Sequence, residues 1–161
     1  MPAEKIVLNA SPLILLCNGE LDFVLPELFT EIIIPEAVWQ EIVSGSHLDQ
    51  AAQMLPGLTW LKKESIIPVP DVVRWDLGVG ETEVLSFAVK YGDYTPVLDD
   101  TLAKKCARSL GIHTMGTGTV LILAKERGLI GSVEQALRTL QDAGLWISES
   151  IIQLLKQKAG E

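Results

Sequence analysis

Short apolar runs alternate along the chain with segments whose apolar residues recur at helical spacing. Five runs predict buried β-strands, and they span residues 5–8, 31–34, 58–61, 95–98 and 112–115. Strands that alternate with helices favour crossover connections, and strands that are apolar throughout are typical of a parallel sheet covered on both faces. The pattern therefore predicts an α/β fold, a three-layer α/β/α sandwich around a central, mainly parallel sheet of four to five short strands.

The predicted helices have recognisable ends. Pro35 opens one helix, since the first turn does not need its missing N–H, and Gly111 ends another. Ser132 and Ser148 are typical helix N-caps. One helix starts near Pro12, and the others span residues 36–43, 47–55, 81–91, 102–110, 120–127, 133–143 and 149–158. Residues 65–80 are predicted to form a loop outside the core, and because no repeat or low-complexity tract divides the chain, we expect one domain over residues 1–161.

Composition excludes several classes of protein. The 161 residues are 48% hydrophobic and 21% charged, which predicts a globular chain rather than a disordered one. No apolar run approaches the roughly 18 residues that span a bilayer, and the first residues do not form a secretory signal, so we expect a cytoplasmic protein without membrane contact. The net charge of −8 argues against an extended basic surface for nucleic acid. Any contact with nucleic acid must therefore be local.

The available side chains also restrict the chemistry. Cys17 and Cys106 lie in apolar surroundings without a CxxC pair, so we expect buried, reduced thiols and no zinc site. With His47 and His113 as the two histidines, a triad that depends on histidine has few candidates. Carboxylates are the abundant reactive groups.

Oxygen-bearing side chains follow the predicted strands, and in an open parallel sheet ligands bind beyond the carboxyl ends of the strands. Asn9 follows the first strand, Asp99 and Asp100 follow the strand at 95–98, and Glu81 and Glu83 open the helix after Gly80. Taken singly, Asp99 as a helix N-cap, Asp100 as a first-turn acid and the two glutamates as first-turn acids all have structural explanations. Together they would repel one another unless a cation is bound.

The kind of cation follows from the donors. Asn, Asp and Glu oxygens, without His or Cys, suit Mg²⁺ or Mn²⁺ better than Zn²⁺. Such an ion can polarise a phosphodiester and orient a water for in-line attack, so phosphodiester hydrolysis is the leading hypothesis. Glu41, near the edge of the apolar stripe of the helix at 36–43, is by itself an ordinary solvated glutamate.

Five segments carry a family resemblance across almost the whole chain. They read IVLNASPLILL, IIIPEAVWQEI, GVGETEVLSFAVKYG, PVLDDTLAKKCARSLGI and MGTGTVLILAKERGLI. Their order and spacing resemble the PIN-domain ribonucleases, and within them the VapC-like toxin branch and its uncharacterised relatives. The resemblance implies a PIN-like fold and a metal-dependent endoribonuclease that uses Mg²⁺ or Mn²⁺.

The resemblance also implies the site residues. By position, the catalytic and metal-binding residues become Asn9, Glu41, Glu83 and Asp100, with Glu81 and Asp99 as neighbouring metal ligands. Asn9 departs from the family pattern, which most often has Asp there, and an amide brings no charge to the metal. A further acidic position of some relatives is replaced by Gly116-Thr117-Gly118, where Thr117 or Thr119 can offer oxygen.

Partners follow from the same resemblance. VapC-like proteins act on RNA, pair with a small antitoxin that blocks the cleft, and often form homodimers. The aromatic candidates for such contacts are Trp39, Trp60, Trp75 and Trp146. The local cations that could hold RNA phosphates are Lys104, Lys105 and Arg108, which otherwise form an ordinary solvated face.

Two other readings compete with the nuclease. Asn9 and the missing further acid are also compatible with a catalytically degenerate PIN fold that acts as a binding or regulatory module. An aspartyl-phosphate pocket at Asp99 and Asp100 is disfavoured, because such domains place their acid pair after the first strand, where this chain has Asn9.

Overall fold

The computed structural model describes residues 4–45 and 50–161. The strands are β1 (Lys5–Leu8), β2 (Glu31–Pro35), β3 (Leu61–Glu64) and β4 (Thr95–Val97). The helices of these residues are α1 (Ala10–Asn18), α2 (Val24–Leu28), α3 (Glu36–Val43), α4 (Gln50–Met54), α5 (Pro70–Val73), α6 (Val79–Lys90), α7 (Thr101–Ser109), α8 (Thr117–Glu126), α9 (Val133–Asp142) and α10 (Glu149–Lys158), with a 3-10 turn at Leu55–Gly57. No helix within these residues is long and apolar enough to cross a bilayer.

The four strands form one parallel sheet in the order β3-β2-β1-β4. Val7 of β1 lies between Ile33 of β2 and Pro96 of β4. From β1 the chain moves outward to β2 and β3, then returns to the other side of β1 to add β4. Strand order therefore reverses between β1 and β4, and such a switch point leaves a crevice at the carboxyl ends of the strands.

Helices cover both faces of the sheet. Ile6, Val7 and Leu8 are successive residues of β1 and all are 0% exposed, although successive strand side chains point to opposite faces. Both faces of the central strand are therefore buried, which confirms the predicted three-layer α/β/α architecture. Cys17 and Cys106 are free and buried in this core, as expected. Burial, together with the charge of Asp22, raises the pKa of the Cys17 thiol to about 12.

The predicted strand at residues 58–61 is wrong in position. Leu58 closes a turn on Leu55, and β3 starts three residues later, where Leu61 pairs with Ile32. The strand contains Lys62 and Lys63, both exposed. Because β3 is an edge strand, it needs no continuous apolar run, and lysines at an edge discourage pairing with other chains.

The predicted strand at residues 112–115 is reduced to a single bridge. Met115 N–H donates to Pro96 O and Leu98 N–H donates to Met115 O, both at 3.0 Å. Within this segment only Met115 pairs with the edge of the sheet. The next helix, α8, then begins at Thr117 rather than at the predicted residue 120. Part of the helix predicted at 47–55 lies outside the described residues, and α4 accounts for most of the remainder.

The segment at residues 65–80 is not wholly outside the core, contrary to expectation. It contains α5, whose Val72 is fully buried. Val69 N–H donates to the hydroxyl of Ser86 on α6 at 3.0 Å. The segment is therefore packed against α6, the helix that carries the predicted glutamates.

Candidate metal and active site

The ends of β1 and β4 bring the first and last predicted site residues together. Asn9 N–H donates to Val97 O at 3.0 Å, so the residues after both strands leave the sheet side by side. Asn9, Asp99 and Asp100 line one open cavity of about 360 Å³ at this edge, together with Glu81 from α6. The opposite wall is formed by residues 144–146.

The side chain of Asn9 is buried at the base of this cavity. The residue is 4% exposed and stands at the N-cap position of α1, but its side chain forms no capping bond there. Within residues 4–45 and 50–161 its amide group has no hydrogen-bond partner. Among the described residues no fully buried side-chain nitrogen or oxygen lacks a partner, so this unpaired amide opens into the cavity and is available to a ligand.

Gly80 leaves a gap between Asn9 and Glu41. A Cβ at Gly80 would lie 3.5 Å from Asn9 Oδ1 and 3.4 Å from Glu41 Oε1, so both oxygens face the same point on α6. Partial burial, and then the negative charge of Glu81, raise the pKa of the Glu41 carboxyl. The structure thus places Glu41 close to Asn9 and near a second carboxylate, although Glu41 does not itself line the cavity.

The two glutamates at the start of α6 have different surroundings. Glu81 lines the cavity, whereas Glu83 Oε1 accepts a hydrogen bond from Ala37 N–H at 3.0 Å, in the first turn of α3. Residues two apart on a helix project to nearly opposite sides. The geometry therefore favours Glu81 as a ligand, and the assignment of Glu83 stays a prediction from sequence.

Asp99 and Asp100 are both held in place. Asp99 Oδ1 accepts from Thr117 N–H at 2.9 Å, and Asp99 Oδ2 accepts from the Thr117 hydroxyl at 2.6 Å. Asp100, rather than Asp99, is the N-cap of α7, since its Oδ2 accepts from Ala103 N–H at 2.8 Å. Both carboxylates retain lone pairs toward the cavity, because a carboxylate offers about four acceptor positions.

These donors suit a hard divalent cation. Within residues 4–45 and 50–161, no three Asp, Glu, His or Cys side chains are close enough to hold an ion by themselves. Mg²⁺ commonly takes one or two protein carboxylates and completes its shell with water and substrate phosphate. The unpaired amide of Asn9, the gap at Gly80 and the surrounding carboxylates fit that mode of binding.

A second cavity of about 340 Å³ adjoins the first and shares Asp99, Leu145 and Trp146 with it. Lys104 lines this second cavity, and a Cβ at Gly116 would lie 3.4 Å from its ammonium nitrogen. Lys105 and Arg108 are exposed on the same helix. Among the predicted cations, Lys104 is therefore the one that reaches the cavities.

The four tryptophans differ in exposure. Trp39, Trp60 and Trp75 are partly buried and pack against the core. Trp146 is 99% exposed. The aromatic surface that stands free for a contact is thus Trp146, on the wall of both cavities.

Sequence reasoning did not identify Gly80 as part of the site's construction, and it named Thr117 only as a possible oxygen donor at the site, not as the hydrogen-bond donor to Asp99. A glycine inside a helical pattern signals close approach of another group, which is what Gly80 shows. The role of Thr117 as the hydrogen-bond donor to Asp99 has no comparable signal, because it depends on a contact between residues that are 18 positions apart.

A parallel sheet with oxygen donors at its switch point is typical of α/β proteins, whose ligands bind at this edge. A family model, DUF3368, described as a PIN domain, matches residues 5–161, and the chain belongs to the PIN-domain family. Comparisons with curated proteins and with solved structures give no match. PIN domains are in general nucleases that bind RNA and use divalent metals.

Proposed function

We propose that this PIN domain is a metal-dependent endoribonuclease that hydrolyses RNA phosphodiesters. The observation that carries the proposal is the unpaired amide of Asn9, which opens into a cavity shared with Glu81, Asp99 and Asp100 and lies close to Glu41 beside Gly80. An arrangement of this kind concentrates negative charge and neutral oxygen donors where strand order reverses. A cation held there gives an anionic phosphate a binding position in an otherwise acidic protein.

The residues take distinct roles in this proposal. Asn9 with one or two of the carboxylates of Glu41, Glu81, Asp99 and Asp100 would hold Mg²⁺ or Mn²⁺, and water and substrate phosphate would complete the shell. The ion would polarise the phosphodiester and neutralise charge on the leaving oxygen. A carboxylate of the set accepts the proton that the attacking water loses as its oxygen bonds to phosphorus. The bond from phosphorus to the leaving oxygen then breaks. Thr117 positions Asp99, since it binds both oxygens of that carboxylate.

In this proposal Lys104 binds a phosphate of the RNA, although the net charge of the protein is −8. None of the ion pairs formed by the described residues includes Lys104, so its ammonium is available to a phosphate. One cation beside the cavity gives local attraction without an extended basic surface.

The biological setting is also a proposal, supported by the resemblance to VapC-like proteins. In it the protein is the toxin of a toxin–antitoxin pair in the cytoplasm, a small antitoxin covers the cleft, and two copies form a homodimer. A small reading frame next to this one, with a product that copurifies and inhibits RNA cleavage, would support that setting. Sedimentation of the purified protein measures the oligomeric state.

RNA cleavage with Mg²⁺ or Mn²⁺ tests the proposed activity. We expect cleavage to stop on chelation and to fall at least about 100-fold in Glu81→Gln and in Asp100→Asn. Glu126→Gln is the matched control, because Glu126 is an exposed glutamate at the far end of α8. Cleavage that survives chelation, or that neither cavity variant alters, contradicts the proposal.

The presence of Asn9 supports one alternative function, that of a catalytically degenerate PIN domain acting as a binding or regulatory module. The amide lacks the negative charge that Asp most often supplies at this position in the family pattern. Titration calorimetry separates the two: the nuclease binds Mg²⁺ or Mn²⁺ in the millimolar range or tighter, whereas a protein without heat of binding and without cleavage is the degenerate form.

A further inference from the structure

Trp146 is an exposed aromatic side chain on a loop whose backbone is attached to the fold on both sides of it. Its neighbours Leu145 and Ile147 pack against the core, so the residue between them points outward. Leu145 N–H donates to Leu140 O at 2.8 Å, and Gln141 Nε2 donates to Ile147 O at 3.4 Å. The loop before α10 is therefore attached on both sides of an indole that is 99% exposed.

The position of this indole distinguishes it from scattered surface apolar residues, which need no explanation. Trp146 lines the cavity that contains Asn9, Glu81 and Asp99, and it also lines the adjoining cavity that contains Lys104. The same side chain thus lines the cavity with the carboxylates and the cavity with the cation.

The surroundings indicate the chemistry of the occupant. The adjoining cavity is lined by Lys104, whose ammonium forms none of the ion pairs of the described residues, and by Thr119, which carries a hydroxyl. A flat group with an attached anion and hydroxyls complements these donors, and a nucleotide with an unpaired base has all three features. Unpaired bases stack on aromatic side chains largely without regard to sequence.

We propose that Trp146 is the stacking surface for one unpaired base of a single-stranded RNA, with an adjacent phosphate on Lys104. The inference rests on the proposed nuclease function and assigns a strand-binding residue to it, outside the carboxylates. Trp146 binds the strand, and the chemistry remains with the carboxylates.

Binding of a short fluorescein-labelled oligouridylate, measured by anisotropy in chelator and again with Mg²⁺, tests this role. We expect Trp146→Ala to weaken binding about ten-fold and Trp146→Phe to retain most of it, since phenylalanine keeps an aromatic face. Ile67→Ala is the matched control, because Ile67 is 82% exposed and lies outside both cavities.

An abasic strand of the same length isolates stacking from phosphate contacts. It should bind the wild type more weakly than oligouridylate does, and Trp146→Ala should not weaken it further. In cleavage assays Trp146→Ala should raise KM more than it lowers kcat. The affinity for a fully paired RNA duplex should be the same in the wild type and in Trp146→Ala.

Several outcomes overturn the inference and leave the proposed function to its own test. Equal oligouridylate affinity in the wild type and Trp146→Ala overturns it, even if the wild type cleaves RNA. Absence of oligouridylate binding in both buffers also overturns it. So does a variant that keeps RNA affinity but loses a copurifying protein, because Trp146 is then a protein-docking residue. If the wild type does not cleave RNA while Trp146→Ala still loses base-dependent binding, the stacking role stands and the nuclease proposal fails.

Discussion

Glu83 binds the backbone of another helix, since its Oε1 accepts a hydrogen bond from Ala37 N–H at 3.0 Å. The first N–H groups of a helix have no partner within the helix, and a carboxylate there also interacts favourably with the helix dipole. Glu83 therefore joins α6 to the start of α3, the helix that presents Glu41.

This contact predicts different effects for the two glutamates of α6. We expect Glu83→Ala to lower the free energy of unfolding by about 1 kcal/mol, because a helix N–H loses its partner. Cleavage per folded molecule should change little. Glu81→Gln should leave stability close to that of the wild type but abolish most cleavage. Denaturant titration and RNA cleavage, measured on the same preparations, check both effects.

Glu83→Gln is the control for this comparison, since its amide oxygen can still accept from Ala37 N–H. It should therefore retain more stability than Glu83→Ala. A loss of divalent-ion binding in Glu83→Gln would instead support the assignment of Glu83 as a metal ligand.

Asn9→Asp tests the effect of the missing charge. A carboxylate buried beside Glu41 and Glu81 should lower the free energy of unfolding of the metal-free protein by about 2 kcal/mol. The added charge should tighten Mg²⁺ or Mn²⁺ binding about ten-fold, because ligand charge tunes affinity at such sites. Calorimetry and thermal unfolding with and without the ion measure both changes.

The two effects of Asn9→Asp should be linked. A variant that is destabilised without metal and restored by metal supports a cation beside residue 9. Destabilisation that no divalent ion relieves would show that residue 9 does not contact a metal. Asn18→Asp, on the last residue of α1 and away from the cavity lining, is the control for the substitution itself.

Gly80→Ala fills the gap between Asn9 and Glu41. The new methyl group would make contacts of 3.4 Å or more with the neighbouring atoms, so the fold should accommodate it. Alanine is a better helix former than glycine by about 1 kcal/mol, so stability should not fall. Divalent-ion affinity and cleavage should nevertheless decrease, since an apolar group then faces both oxygens. Unchanged metal affinity in a stable Gly80→Ala protein would place the ion elsewhere.

The side chain of Glu161 binds the start of α9. Its carboxylate accepts hydrogen bonds from the N–H groups of Val133 and Glu134 and from the Ser132 hydroxyl, and it pairs with Lys125 at 2.9 Å. Burial acts to raise the pKa of Glu161, but these bonds outweigh it and lower the pKa to about 2. The carboxylate thus stabilises the fold in its ionised form.

The depressed pKa sets the direction of the pH dependence. The contribution of Glu161 is fully present above the ordinary glutamate pKa of about 4.3 and is lost as pH falls toward about 2. We expect Glu161→Gln to cost about 2 kcal/mol of unfolding free energy at pH 7 and progressively less at acid pH. Denaturant titrations across this range, with Glu126→Gln for comparison, measure the difference; a cost that is independent of pH would show that the charge is not involved.

The sequence was informative where one physical signal dominates. β1 and β2 are buried apolar runs, and α9 and α10 begin at serines that cap them, so their positions were predictable. β3 was misplaced because an edge strand needs no apolar run. The two short helices α2 and α5 have too few residues to show a helical period.

The site was predictable as a set of donors but not in its geometry. That Asn9 and Asp100 meet follows from neighbouring parallel strands. The choice between Glu81 and Glu83 depends on how α6 is rotated against α3, which is decided by packing around Gly80. The opposite wall of the cavity comes from a loop with no motif of its own.

The position of this wall in the sequence determines when the site can form during synthesis of the chain. The cavity joins Asn9 to residues 144–146, which are synthesised long after it. A chain still emerging from a ribosome has the central strand and the early acids but lacks the loop that encloses them. For a protein proposed to cut RNA, the order of synthesis alone delays a complete site until residues 144–146 have been made.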